Sequence, residues 1–164
     1  FDHVVSSNKD FKKTYLLHGI NAPEIDGTRT TLKRTENGYN GKLTNETLLP
    51  YSDNVTITQI GEQADDFIIG DRNFKTYGVP GANNEAGGIR TEISPVTPSE
   101  EDFFLNVMQM SDADSDANFE TTLIETDTHK GVKIADRVVL FGNTKIALFV
   151  PLNHLCIECP ICKR

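Results

Sequence analysis

The chain alternates short runs of β-branched, aromatic and aliphatic residues with clusters of Gly, Asn, Asp and Pro, the spacing of antiparallel sheet. Residues 11–20 read as a strand leading into the extended Ala22-Pro23-Glu24-Ile25, and residues 28–35 alternate Thr and Leu with charges. Glu36-Asn37-Gly38-Tyr39-Asn40-Gly41 then supplies Asn-Gly turn signals before residues 42–49 return. A further strand is predicted over 55–60. From 61 to 88 the composition shifts to Gly, Asn, Asp and Pro around the single strand-like Phe67-Ile68-Ile69-Gly70, which predicts a surface excursion. The sheet resumes at 89–95, and Pro98-Ser99-Glu100-Glu101 makes a short turn or helical start. The nearly continuous apolar run at 102–110 predicts a central strand covered on both faces. Past an acidic turn at 112–118, strands follow over 119–125, 131–134 and 137–141, and Gly142-Asn143 fits a two-residue loop into 145–150. With no helix pattern of useful length and no fixed-period repeat, the class is all-β. The expected architecture is an antiparallel β-sandwich over residues 1–150, followed by a cysteine-containing tail over 151–164.

A chain of 164 residues can bury roughly 70% of its unfolded surface, enough for a core without staples. Its hydrophobic content of 37%, with Phe 9, Tyr 4 and Trp 0, predicts a thin, two-layered core. Lys+Arg 16 against Asp+Glu 24 gives a formal charge of −8, the wrong sign for tracking a phosphate backbone, so nucleic acid is not an expected partner. Nor is a membrane, since no stretch approaches the twenty or so apolar residues of a span. No basic-then-apolar leader is written in these residues, which leaves export open. The chain opens in mid-pattern, with Phe1 followed at once by a strand-like segment, and reads as a piece of a larger protein.

The stretch FDHVVSSNKDFKKTYLLHGINAPEI at residues 1–25 resembles a strand pair in the central sandwich of heparinase II/III-like polysaccharide lyases, in which an aspartate follows an aromatic residue and a lysine-flanked strand ends in Leu-Leu-His. The segments Arg34-Thr35-Glu36-Asn37-Gly38-Tyr39-Asn40-Gly41-Lys42-Leu43, Asn45-Glu46-Thr47-Leu48-Leu49-Pro50 and 98–109 are similar to that family's sandwich motifs, in the family's order. The resemblance covers roughly residues 1–150. It implies a parent enzyme that combines an α/α toroid domain with this sandwich, is periplasmic or secreted, and cleaves uronate-containing polysaccharides of heparin, heparan sulfate or alginate type by β-elimination. It implies no catalytic residue in this chain. The tyrosine and histidine that move the proton belong to the toroid, and a further sandwich histidine would lie upstream of Phe1. An independent carbohydrate-binding or structural β-domain without lyase activity is the competing expectation. A sandwich parted from its neighbour would expose an apolar face through which two copies could pair as a homodimer.

Several residues offer site chemistry. Asp2 and His18, on neighbouring strands, could supply two ligands to zinc or another divalent ion, although a strand-end histidine more often caps a backbone carbonyl. The resemblance implies a structural metal held by two histidines and one aspartate, with Asp2 matching the aspartate, His18 the second histidine, and the first histidine upstream. Cys156, Cys159 and Cys162 form two CxxC spacings that share a cysteine, with His154 just before. Three thiolates and an imidazole could enclose zinc, while a reactive tail is the plainer reading. Asp112, Asp114 and Asp116 alternate as at the start of a calcium loop, but Ala117 stands where the turn glycine belongs and Leu123 where the closing glutamate does. In the 61–88 excursion Arg72, Lys75 and Arg90 could meet a carboxylate or sulfate of an acidic polysaccharide, with Phe74 and Tyr77 the loop aromatics. Two sequons, at Asn45 and Asn54, would mark surface strands in a secreted eukaryotic protein.

Overall fold

The computed structural model describes residues 1–64, 66–74, 87–143 and 147–151. Among these the chain is all-β, with antiparallel sheets and no helix. It parts into two compact units, Asp2–Asp116 and Ala117–Arg164, with Phe1 joining the second.

The larger unit holds ten strands: β1 (Asp2–Val5), β2 (Tyr15–Gly19), β3 (Glu24–Asp26), β4 (Arg29–Arg34), β5 (Gly41–Leu49), β6 (Val55–Ile60), β7 (Ile68–Ile69), β8 (Arg72–Asn73), β9 (Ile89–Pro95) and β10 (Glu101–Ser111). They form a five-stranded sheet in the order β1-β10-β5-β4-β3, a three-stranded sheet β2-β9-β6 and a β7-β8 hairpin. The turn signal at 36–41 does what its chemistry requires. Asn37 and Gly38 both take positive φ, 55° and 82°, and the Tyr39 amide donates to the Glu36 carbonyl, closing a tight turn between β4 and β5.

The two larger sheets of this unit face each other across a sandwich core. Period-two alternation turns Tyr15, Leu17 and Gly19 of β2 inward and Leu16 and His18 outward. Tyr15 stacks near Phe104 of the opposite sheet, with ring centroids 6.4 Å apart, and a Cβ on Gly19 would come within 2.9 Å of Leu32 Cδ2. Ile89, Ile93, Leu49, Phe104 and Leu105 are the buried apolar residues of this core. It also holds polar side chains. Asn45, Thr47, Thr30 and Thr91 are buried, and Asn106 Oδ1 accepts from Thr47 Oγ1 at 2.8 Å and from Asn45 Nδ2 at 3.2 Å. Asn45 has no exposed surface, so its sequon does not mark a surface site in this fold.

The apolar run on β10 is covered on both faces only in its first half. Phe104 and Leu105 are both buried, whereas Met108 is exposed and Met110 is 83% exposed. The change falls at a bulge: Leu105 pairs with Leu49 but Asn106 with Thr47, so Leu48 is an extra residue on β5 and the ladder bends there. The base of the 61–88 excursion is tied to the sheet. The buried Asp66 carboxylate accepts from the amides of Glu62 and Gln63 and from Asn73 Nδ2, and Arg90 Nη1 donates to the Ile68 carbonyl at 2.7 Å.

The second unit is a meander of β11 (Thr121–Glu125), β12 (His129–Ile134), β13 (Arg137–Gly142) and β14 (Ala147–Pro151), paired in sequence order. Val132, Val138 and Leu140 are buried in it, and the Phe1 ring stacks on Phe141 with centroids 4.4 Å apart. The two-residue Gly142-Asn143 loop expected from sequence is not formed: Gly142 belongs to β13, and Phe141 pairs with Ala147 at the start of β14.

Candidate functional site

At one end of the larger unit's sandwich, where β2, β4 and β10 finish and β5 begins, a cleft of about 430 Å³ opens. Its floor is aliphatic, from Ile20, Leu32 and Leu43, and the exposed Met110 flanks it. Gly19 eases the close approach of the end of β2, since a Cβ there would come within 2.9 Å of Leu32 Cδ2 and the leucine would have to shift. The rim is polar. The Arg34 guanidinium lies over the Tyr39 ring, 3.7 Å from its centroid, in cation–π geometry. Tyr39 itself stays 49% exposed.

A hydrogen-bonded brace holds this rim. Asn21 Nδ2 donates to the Lys33 carbonyl at 2.8 Å and to Glu36 Oε1 at 2.9 Å, and the Glu36 carboxylate sits 3.6 Å from Arg34 Nε. The Asn21 hydrogen bond, those of the Glu36 and Thr35 amides, and nearby Arg34 hold the Glu36 carboxyl below the usual range. The carboxylate is thus charged and fixed beside Arg34, which keeps the guanidinium parked on the ring. Lys42 Nζ donates to the Ser115 carbonyl, a neutral acceptor.

The residues singled out from sequence fall elsewhere. Asp2 lies on β1 opposite Phe104, on the sandwich side, where burial first and the Asp2 charge second push the Tyr15 phenol up. His18 lies on the outward face of β2, with its Nδ1 3.0 Å from the Gly87 carbonyl. Asp2 thus lies on the sandwich side of β1 and His18 on the outward face of β2. Arg90 is the cross-strand neighbour of His18, and its Nε and Nη2 lie 2.9 Å from Glu92 Oε1. Burial would raise Glu92, but hydrogen bonds and charge from Lys12 and Arg90 outweigh it and leave its carboxyl low. Arg72 sits over the Phe74 ring at 4.5 Å. Lys75, Tyr77, His154, Cys156, Cys159 and Cys162 lie outside the described residues. Among the described residues, no three His, Cys, Asp or Glu gather as a metal site.

In the sequence Arg34 and Tyr39 belong to the lyase-like segment that spans the Asn-Gly turn, with no site role marked for either. Their meeting depends on Asn37-Gly38, whose tight turn folds Tyr39 back over the end of β4. A cation five residues before an aromatic across an Asn-Gly turn is the signal that was present. Compared with known protein families the chain matches no family model, and it matches no curated protein.

Proposed function

We propose that this chain is the non-catalytic β-sandwich portion of a polysaccharide lyase that cleaves uronate-containing polysaccharides, of heparin, heparan sulfate or alginate type, by β-elimination. The observation that carries the reading is the placement of the lyase-like segments. Residues 34–43, 45–50 and 98–109 fall on β4, its turn, β5 and β10, which are hydrogen-bonded neighbours in one sheet, and the segment at 1–25 supplies β1 at that sheet's edge and β2 across the core. Motifs that share a family's order and also assemble into one continuous surface are what a common scaffold requires. The partner domain is an α/α toroid of the same parent chain, which brings the proton-transferring groups. The sandwich acts as a rigid wall that keeps those groups in register along the substrate cleft.

The competing reading, a carbohydrate-binding β-domain that works without a toroid, is favoured by the aromatic and basic cleft. The coding sequence directly upstream of Phe1 separates the two. A helical toroid carrying a tyrosine and a histidine is expected there; a start codon or leader peptide joined directly to Phe1 would remove the lyase reading.

A further inference from the structure

We propose that Asn40 is a site of spontaneous deamidation, a slow covalent modification that places a carboxylate in the cleft at the end of the sandwich. The inference concerns the chain's own chemistry and does not rest on the lyase reading.

Two Asn-Gly pairs stand close together in the chain, Asn37-Gly38 and Asn40-Gly41. Glycine carries no side chain to shield its amide, so such a pair leaves the asparagine carboxamide open to attack by the next backbone nitrogen. In the first step Gly41 N bonds to Asn40 Cγ, the Cγ–Nδ2 bond breaks, and Nδ2 leaves as ammonia with the proton of the Gly41 amide. Solvent water then opens the five-membered imide. Addition at Cγ gives aspartate, and addition at the Asn40 backbone carbonyl gives isoaspartate, whose main chain runs through the side chain.

The fold treats the two pairs differently. Ring closure needs Cβ and the next nitrogen on the same side of the Cα–C bond. Asn37 and Gly38 have φ of 55° and 82°, and the Tyr39 amide donates to the Glu36 carbonyl, which makes the turn type I′. Such a turn holds ψ of its first central residue near roughly +30°, and at Asn37 that sets the two atoms nearly opposite each other. Reaction there has to break the turn first. Asn40 lies beyond the turn, without a positive φ, just before β5 opens at Gly41. It is exposed, and no hydrogen bond holds its carboxamide among the described residues. Asn40 also lines the cleft together with Arg34 and Lys42, so the product carboxylate enters there, while isoaspartate lengthens the main chain directly before the Arg34–Gly41 pair.

The test incubates the full chain at mildly alkaline pH in heavy-oxygen water, once folded and once in urea, and maps the incorporated oxygen by tandem mass spectrometry of the tryptic peptide 35–42, which contains both asparagines. In the folded chain Asn40 should take up label at least tenfold faster than Asn37, and in urea the two rates should come within about twofold. Gly41→Ala, whose added Cβ meets nothing within 4 Å, should slow the reaction at Asn40 at least tenfold and leave amide spectra outside the turn unchanged. The aged chain and Asn40→Asp should both shift the amides of Asn21 and Leu43. Equal labelling of Asn37 and Asn40 in the folded chain, the same preference in urea, or labelling of Asn40 no faster than that of Asn143 would overturn the assignment.

Discussion

At the scale of single residues, charge placement separates what braces the sandwich from what sits on its surface. Lys13 and Asp102 are almost fully covered, with Nζ and Oδ2 2.9 Å apart, and Lys13 also donates to the Ser99 carbonyl. Removing one partner leaves a buried charge uncompensated. Asp102→Ala should therefore cost about 3–5 kcal/mol, whereas the paired change Lys13→Met with Asp102→Leu should restore most of it, as read by urea unfolding of the three variants. Glu92 behaves differently because it is held by two cations at a partly covered position on β9, the middle strand of its sheet. Its folded-state pKa lies below the unfolded value, so its contribution is present above the ordinary carboxylate range and is lost as pH falls through the folded value. Glu92→Gln should lower stability at neutral pH by roughly 0.5–1 kcal/mol and flatten the acid limb of the stability profile. Unfolding midpoints from neutral to strongly acid pH measure both effects.

Among the elements, the β12–β13 hairpin makes the strictest steric demand. A Cβ on Gly131 would lie 2.0 Å from the Val139 carbonyl oxygen, a backbone atom that cannot swing aside. Gly131→Ala should cost about 1–3 kcal/mol or open the hairpin, visible as lost amide-exchange protection across β12 and β13. Strand content was legible in the sequence: the predicted 55–60 and 89–95 segments are β6 and β9, and the Asn-Gly turn stands where its chemistry placed it. Local signals sufficed there because turn residues and β-branched runs act through their own backbone. The two-sided cover expected for residues 102–110 depended on neighbours distant in sequence. The bulge opposite Leu105–Asn106 and the exposure of Met110 leave no trace in an apolar run. The cleft was hidden for the same reason, since Asn21, Arg34, Tyr39 and Lys42 come together only when two strand ends and one tight turn meet.

On the scale of the whole molecule, the proposed role of this chain is that of a scaffold. The sandwich interior holds Ile93, Phe104 and a hydrogen-bonded Asn45–Thr47–Asn106 cluster, and a cleft of about 430 Å³ sits at the sheet ends. A scaffold of this kind contributes position and not proton transfer, so it should be silent alone and matter greatly when joined to the domain that carries the acid and base. The most direct measurement is the release of unsaturated uronate from heparosan and from alginate by three proteins: this chain alone, the parent toroid alone, and the two as one polypeptide. Activity of the joined protein at least a hundredfold above that of the toroid, with none from this chain, is the expected result. Elimination by these residues alone, or a joined protein no more active than its toroid on both polymers, would contradict it.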